Sequence, residues 1–223
     1  MKPALILQHG DLGPPAILGE WAAARDIPVH IHRSDLEESL PEVNGHLFVA
    51  SLGSNYSPTD LDVPKVVEEL EFIDRVVAAG VPVLGLCYGG QALAKVLGGD
   101  VGPAPEPELG WYRVRAREPE LVAEGPWLQW HYNSFTLPPG ARALADSPAG
   151  LQAFSCGPHL GVQFHPESTL ELALEWARVD RERARDRAIP DQRSLVDAGC
   201  KHAAAARAGA FRLFDAFWER AKR

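Results

Sequence analysis

Short apolar segments alternate with helical patterns through the first hundred residues of this sequence. Residues 4–7, 27–32 and 46–50 have the length and apolar, β-prone character of buried strands. Residues 63–80 have helical spacing and end in glycine, and the apolar residues 81–86 follow as a fourth strand. Alternation of this kind predicts a mostly parallel sheet with helices on both of its faces, since parallel neighbours need long crossover connections.

The pattern changes after residue 110. Closely spaced strand candidates separated by Gly/Pro turns are expected to extend the sheet at one side, partly antiparallel: residues 111–116, 128–132, 142–146, 151–156 and 160–165. Residues 177–223 alternate charge signs and then place Phe211, Phe214 and Trp218 near one helical face. We expect 1–223 to form a single domain, with 177–223 a helical segment packed on it. A partner-binding helix is the alternative for this segment.

The composition excludes several classes of partner. Of the 223 residues 46% are hydrophobic and the net charge is -8, which argues against nucleic acid or an anionic membrane as the main partner. The three cysteines have neither disulfide-framework nor metal-knuckle spacing, so a reducing compartment fits best. The N-terminal apolar run is too short for a signal peptide, and no apolar stretch reaches membrane-spanning length. These features predict a cytoplasmic protein.

No metal or cofactor site is evident. His30 and His32 alternate on a strand and would point to one face, but no third ligand accompanies them, so ordinary histidines are the favoured interpretation. The sequence has no phosphate-binding loop and no Gly-x-Gly-x-x-Gly fingerprint. We therefore predict neither a metal ion nor an organic cofactor.

Cys87 lies between the apolar strand 81–86 and a helix predicted over Gln91–Leu97. A cysteine at such a junction meets free N–H groups and the positive end of the helix dipole, which favour the thiolate. Gly85 and Gly89 remove side chains that would crowd the turn. The pattern is typical of a nucleophile elbow with sulfur as the nucleophile. A buried structural cysteine remains the alternative from this stretch alone.

The sequence "GVQFHPES" (residues 161–168) favours catalysis. It predicts a strand that ends in His165, with Glu167 two residues further on. An imidazole can take a thiol proton, and a carboxylate can hold the ring in one tautomer. Together with Cys87 these residues form a Cys–His–Glu set on strand ends, where open α/β sheets place their sites.

The chain resembles the class I, triad-type glutamine amidotransferases over most of its length. "GLCYGGQ" and "GVQFHPE" match that family's cysteine and histidine motifs, and the stretches between them are similar to stand-alone relatives of the GMP synthase amidotransferase domain. The resemblance implies a flavodoxin-like three-layer sandwich that hydrolyses glutamine to glutamate and ammonia. It implies Cys87 as nucleophile, His165 as general acid and base, Glu167 as its orienting partner, and Gln91 in substrate binding.

Two segments depart from the family pattern. The family's Gly-Gly-Pro-x-Ser oxyanion turn is "ASLGS" here (residues 50–54), so the backbone N–H groups of Ser51 and Tyr88 are the expected oxyanion donors, after a loop movement or with a partner. "HYN" replaces His-Gly-Asp in a loop that lies beside the substrate in the family. By the resemblance, Gly53, Tyr132 and Asn133 are the expected substrate neighbours.

Three functions fit these features. The first is a glutaminase that passes ammonia to a separate synthetase, because the chain has no acceptor site of its own. The second is a γ-glutamyl hydrolase that acts on a small γ-glutamyl amide without a partner, which the altered "HYN" loop suggests. The third is a non-catalytic or redox-sensing relative, which the altered "ASLGS" turn suggests. A small-molecule substrate is expected in the first two.

Overall fold

The computed structural model describes residues 2–36, 39–183 and 189–222. The strands within these residues are Ala4–Gln8 (β1), Val29–Arg33 (β2), Val49–Ser51 (β3), Val83–Leu86 (β4), Val101–Tyr112 (β5), Arg115–Ala116 (β6), Trp127–Phe135 (β7), Arg142–Ser147 (β8), Gly150–Cys156 (β9) and His159–Val162 (β10). The helices are Ala16–Ala23 (α1), Pro64–Ala78 (α2), Tyr88–Val96 (α3), Leu170–Arg183 (α4) and Gln192–Ala221 (α5). No helix among the described residues is long and apolar enough to cross a membrane.

Eight of the strands form one mixed sheet in the order β2-β1-β3-β4-β10-β9-β8-β6. The first five strands in this order run parallel to one another. The remaining three are joined by antiparallel pairing, which begins between β10 and β9. The predicted mostly parallel sheet with antiparallel additions is therefore confirmed. The carboxyl ends of β1, β3 and β4 lie side by side, which places the loops that follow them at one edge.

Helices cover both faces of this sheet. In β1, Ala4 and Ile6 belong to a core shared with α1 and α5, whereas Leu5 and Leu7 belong to a second core shared with α2 and α3. The alternation follows from the pleat of a strand, which points successive side chains to opposite faces. A sheet that is buried on both sides favours apolar residues at successive positions, as β1 has from Ala4 to Leu7.

The second half of the chain differs from the sequence-based expectation. β5 and β7 do not extend the main sheet, but pair with each other as a separate antiparallel ribbon. The expected strand 111–116 is divided, since its first two residues end β5 and its last two form β6. Closely spaced strand patterns predict pairing, but the choice of partner depends on packing between distant segments.

The strand before His165 is also shorter than expected. β10 ends at Val162, three residues before the histidine. The chain then leaves β4: the Gln163 N–H donates to Gln152 of β9, and the His165 N–H donates to Leu128 of β7. Phe164, between them, is fully buried and stacks on Trp127 at a centroid distance of 4.6 Å. This aromatic packing draws the segment towards β7.

The C-terminal helix α5 packs against α1 and one face of the sheet. Phe214 and Phe217 are fully buried, and the ring of Phe217 meets that of Phe48 at 5.3 Å. Asp215 accepts a hydrogen bond of 2.9 Å from the Trp21 indole. Arg25, which follows α1, also donates to Asp215. That residues 1–223 constitute one domain stays a prediction.

The first turn of α3 lies unusually close to the backbone of its neighbours. A Cβ on Gly89 would be 2.0 Å from the Ser51 carbonyl oxygen, and one on Gly90 would be 2.3 Å from the Val162 oxygen. A Cβ on Gly85 would be 2.3 Å from the Gly89 oxygen. The expected role of Gly85 and Gly89 in clearing the turn is confirmed, and Gly90 has the same role.

We predict that Gly90→Ala destabilises the protein. Helix propensity alone favours alanine by about 1 kcal/mol, but the added methyl group must displace the β10 backbone. We expect a net loss of about 2 kcal/mol or more in the free energy of unfolding, measured by urea denaturation.

Gly102→Ala is the matched control, because nothing lies within 4 Å of its Cβ position. Its stability should be unchanged or slightly raised. Equal stability of Gly90→Ala and the wild type would show that the α3–β10 contact is looser than the structure indicates.

Candidate active site

Cys87 occupies the sharp turn between β4 and α3. Its backbone has φ 52° and ψ -108°, a conformation that L-residues other than glycine adopt rarely and at a cost. The Cys87 N–H donates to Val162 of β10 at 2.9 Å, and Gln91 donates to the Cys87 carbonyl at 3.0 Å. Helix α3 starts at Tyr88, three residues earlier than the sequence pattern predicted. The sulfur therefore sits directly at the helix N-terminus.

His165 and Glu167 lie against this cysteine, and both are buried. The His165 Nδ1 is 2.8 Å from the Glu167 Oε1, and a carboxylate oxygen in that position accepts the Nδ1 proton. The other ring nitrogen is therefore available to Cys87, which lines the same pocket. The Trp176 ring packs on His165 with a centroid distance of 4.7 Å. The three residues that the sequence singled out thus come together.

Electrostatics favour the imidazolium form of His165. Burial lowers the pKa of His165, but the negative charges of Cys87 and Glu167, together with their hydrogen bonds, outweigh it. The net effect raises the pKa of His165 well above 6.5. Protonation of the ring is therefore favoured beside the sulfur. An imidazolium next to a thiolate is the arrangement that activates a cysteine nucleophile.

The triad opens into a pocket of about 140 Å³. Cys87, His165 and Glu167 line one part of it, and the remaining lining residues are His9, Gly10, Asp11, Leu12, Gly13, Gly53, Ser54, Asn55, Trp130, Trp176, Val179 and Asp180. Of the expected substrate neighbours only Gly53 lies in the wall. Gln91, Tyr132 and Asn133 lie outside the lining, so their role in substrate binding stays a prediction.

Gln163 contacts the sulfur and was not recognised from the sequence. Its Nε2 lies 3.8 Å from the Cys87 Sγ, and its Oε1 accepts from the Gln91 Nε2 at 3.2 Å. Gln91 also donates to the Asn133 carbonyl at 3.4 Å. Gln91 therefore acts in this structure by orienting Gln163, whose amide faces the Cys87 sulfur. Gln163 lies within the "GVQFHPE" motif, which could have drawn attention to it. The alternation of side chains along a strand, however, does not show which residue each side chain contacts.

Gly53, rather than Ser51, forms the wall beside the triad. A Cβ on Gly53 would be 2.8 Å from the His165 Cε1, so the glycine backbone lies against the imidazole. Ser51 is fully buried, and its hydroxyl donates to Glu69 at 2.7 Å. Tyr88 is the first residue of α3, and its N–H therefore has no acceptor within the helix. That Ser51 and Tyr88 supply the oxyanion donors stays a prediction, and the position of the Gly53 backbone beside His165 makes Gly53 a further candidate.

A buried network around Glu69 holds this wall in place. Glu69 of α2 contacts the His9 Nε2 at 2.7 Å, and the His9 Nδ1 lies 3.0 Å from the Gly53 carbonyl. Both ring nitrogens face acceptors, so His9 satisfies both only as an imidazolium. Burial lowers the pKa of His9, but Glu69 and the weaker field of Asp35 raise it above 6.5. The charged His9 fixes the Gly53 carbonyl at the pocket.

The described residues contain no group of three or more His, Cys, Asp or Glu side chains that can hold a metal ion. His30 is exposed and His32 is buried, although both lie on β2. Cys156 is half-buried and Cys200 is exposed, and neither is among the residues that line the pocket.

Comparison with known proteins defines the class to which this fold and site belong. The sequence profile described as glutamine amidotransferase class-I matches residues 23–175. The chain therefore belongs to the class I glutamine amidotransferase family. The structure of a glutamine amidotransferase from Methylobacillus flagellatus superposes with a TM-score of 0.88 at 28% identity, over 98% of this chain and 95% of that one. The predicted three-layer, flavodoxin-like α/β sandwich is thereby confirmed.

Curated relatives of this chain are GMP synthases. The chain is 36% identical over 141 residues to the glutamine-hydrolysing GMP synthase of Aeropyrum pernix, which covers 59% of this chain and 26% of that protein. It is 32% identical over 116 residues to a glutamine-hydrolysing GMP synthase subunit from Ignicoccus hospitalis, covering 48% of this chain and 62% of that relative. The chain thus spans less than two thirds of the length of either relative.

We predict that Glu167→Gln lowers the pKa of His165. The amide keeps the shape of the side chain but removes one of the charges that stabilise the imidazolium. Titration of the histidine ring protons by NMR measures the change, with His165→Gln to assign the resonance.

Glu175→Gln is the matched control, because Glu175 is exposed and pairs with Arg178 on α4. Like Glu167→Gln, it removes one negative charge, but it should leave the pKa of His165 unchanged. A His165 titration that Glu167→Gln does not alter would mean that the Nδ1 contact carries no electrostatic weight.

Proposed function

We propose that this chain hydrolyses the side-chain amide of glutamine, giving glutamate and ammonia through a thioester on Cys87. The observation that carries the proposal is the Cys87–His165–Glu167 set, which lines one pocket at the carboxyl edge of a parallel sheet. Membership of the class I glutamine amidotransferase family supports it. An activated thiol, a base held in one tautomer and adjacent free N–H groups are the parts that acyl transfer requires.

The first half of the reaction forms the thioester. The Cys87 thiolate adds to the amide carbon, and the carbonyl electron pair moves onto oxygen, which the Gly53 and Tyr88 N–H groups stabilise. His165, protonated at this stage, donates its proton to the amide nitrogen. The C–N bond then breaks, ammonia leaves, and the carbonyl re-forms as a thioester. Glu167 keeps the ring oriented throughout.

The second half releases the product. His165 is now neutral, so it accepts a proton from a water molecule that attacks the thioester carbon. The C–S bond breaks, the sulfur departs as the thiolate, and glutamate forms. The proton on His165 restores the starting imidazolium–thiolate pair. Gln163 supports each thiolate state, since its amide donates towards the sulfur.

We predict that purified protein converts glutamine to glutamate and that Cys87→Ala abolishes this turnover. A coupled glutamate assay measures it. Covalent labelling by the glutamine-analogue electrophile 6-diazo-5-oxo-L-norleucine, read by intact mass, is the second measurement, because it does not require full turnover. Cys156→Ala is the control and should label like the wild type. Absence of any modification at Cys87 would contradict the proposal.

A γ-glutamyl hydrolase is the second candidate, and the walls of the pocket favour it. Trp130 and Trp176 present apolar surface beside the triad, more than a departing ammonia molecule needs. A γ-glutamyl amine would place its amine substituent there. The same assay with γ-glutamyl amines distinguishes the two, since a clear preference for glutamine removes this candidate. A purely redox-sensing role gains less support, because it requires no His165–Glu167 pair.

We further propose that the ammonia passes to a separate synthetase that docks over the mouth of the pocket. Supporting this, the Ignicoccus hospitalis relative is named as one subunit of a GMP synthase, although that name does not identify the acceptor used here. Docking would keep ammonia from solvent. We expect a synthetase to co-purify from native cytosol and to raise glutamine turnover. Full turnover by the isolated chain, with nothing associated, would contradict this.

A further inference from the structure

Asp180 is a pocket residue to which the mechanism assigns no task. It lies on α4, and its Oδ2 accepts a hydrogen bond of 3.1 Å from the Trp130 indole and one of 2.9 Å from the Tyr132 hydroxyl. Both donors are on β7, so two contacts from a different element fix this carboxylate. In the described part of the chain its second oxygen, Oδ1, has no hydrogen-bond partner and the carboxylate has no ion pair.

The other carboxylates of the pocket are already engaged. Glu167 holds His165, as described above. Asp11 pairs with Arg33 at 2.9 Å, and its side chain is 89% exposed to solvent. Asp180 is thus a half-buried carboxylate that lines the pocket, and among the described residues it forms no ion pair.

Two features at this position favour a cationic ligand. The carboxylate itself is held in place with one oxygen uncommitted, and its charge is only partly hydrated. The Trp130 and Trp176 rings line the same pocket, and aromatic faces attract cations.

The substrate of the proposed reaction brings such a cation. Glutamine and γ-glutamyl amines both carry an α-ammonium group three carbons away from the amide carbon. We infer that Asp180 binds this α-ammonium group and makes the site selective for α-amino acid substrates. The inference rests on the proposed function, because it concerns the same pocket and the same substrate class.

The match to the family profile does not include Asp180. The class I family profile matches residues 23–175, so Asp180 lies beyond the matched region, on the helix that closes the pocket. Tyr132, which lies in the departing "HYN" segment, is one of the two residues that fix it. The altered loop and α4 therefore act together: Tyr132 does not line the pocket but positions a carboxylate that does.

Asp180→Asn is the variant that tests this inference most directly. The amide oxygen can still accept from Trp130 and Tyr132, which leaves the amide nitrogen, a donor without charge, at the position of the free oxygen. We measure the rate of Cys87 labelling by three electrophiles: 6-diazo-5-oxo-L-norleucine, its analogue that lacks the α-amino group, 6-diazo-5-oxohexanoate, and iodoacetamide.

In the wild type we expect the amino-bearing diazoketone to label faster than its deamino analogue by about 10- to 100-fold, the range for a hydrogen bond to a charged group. Asp180→Asn should remove most of that preference while leaving the iodoacetamide rate unchanged. Glu175→Gln, which removes an exposed charge from the same helix, is the control and should keep the preference.

The outcomes separate the two proposals. If Asp180→Asn slows all three electrophiles equally, Asp180 is a structural support for Trp130 and Tyr132, and the inference is wrong. A wild type that labels with both diazoketones at the same rate also overturns it, yet leaves the Cys87 chemistry standing. If neither diazoketone modifies Cys87 while iodoacetamide does, the proposed function itself fails, and the role of Asp180 fails with it.

Discussion

The close approach of α3 to three strands is the constraint on which the site depends. Glycines at positions 85, 89 and 90 allow backbone atoms to come nearer than any side chain would permit. This contact holds Cys87 in a strained conformation at the end of β4 and binds its N–H to Val162 of β10. Because the same strand leads directly to His165, one packing contact places both Cys87 and His165. The cost of the strain is met by the surrounding backbone contacts.

Buried charged residues stabilise the wall of the pocket that these backbone contacts form. Glu69 lies on α2 with little exposure and contacts Ser51 and His9, so it connects α2 with β3 and the loop after β1 behind the pocket. A buried carboxylate is stable only when its oxygens are paired, and a network of this kind rigidifies the wall that it supports. The altered "ASLGS" turn is therefore ordered here without the usual glycines, since the charged His9 holds the Gly53 carbonyl.

Much of the parallel half of the fold was predictable. Expected strand 4–7 corresponds to β1, and expected helix 63–80 corresponds to α2, with Gly80 at φ 70° beyond its end. These elements carry their signals locally, in hydrophobic period and in helix-ending glycine. The antiparallel half was predictable only as strands. β5 pairs with β7 apart from the main sheet, and the stacking of Trp127 on Phe164 joins this ribbon to a distant segment.

The sequence by itself determined which residues are proposed to bear the chemistry: Cys87 between an apolar strand and a helix, and His165 with Glu167 two residues on. Those assignments depend on spacing along the chain, which local backbone geometry converts directly into position. Only the tertiary structure decided what surrounds them. Gln163 beside the sulfur, His9 against Gly53, and Asp180 held by Tyr132 are contacts between elements far apart in sequence. No periodicity encodes such pairs, because they arise when separately formed elements pack and must satisfy one another's buried polar groups.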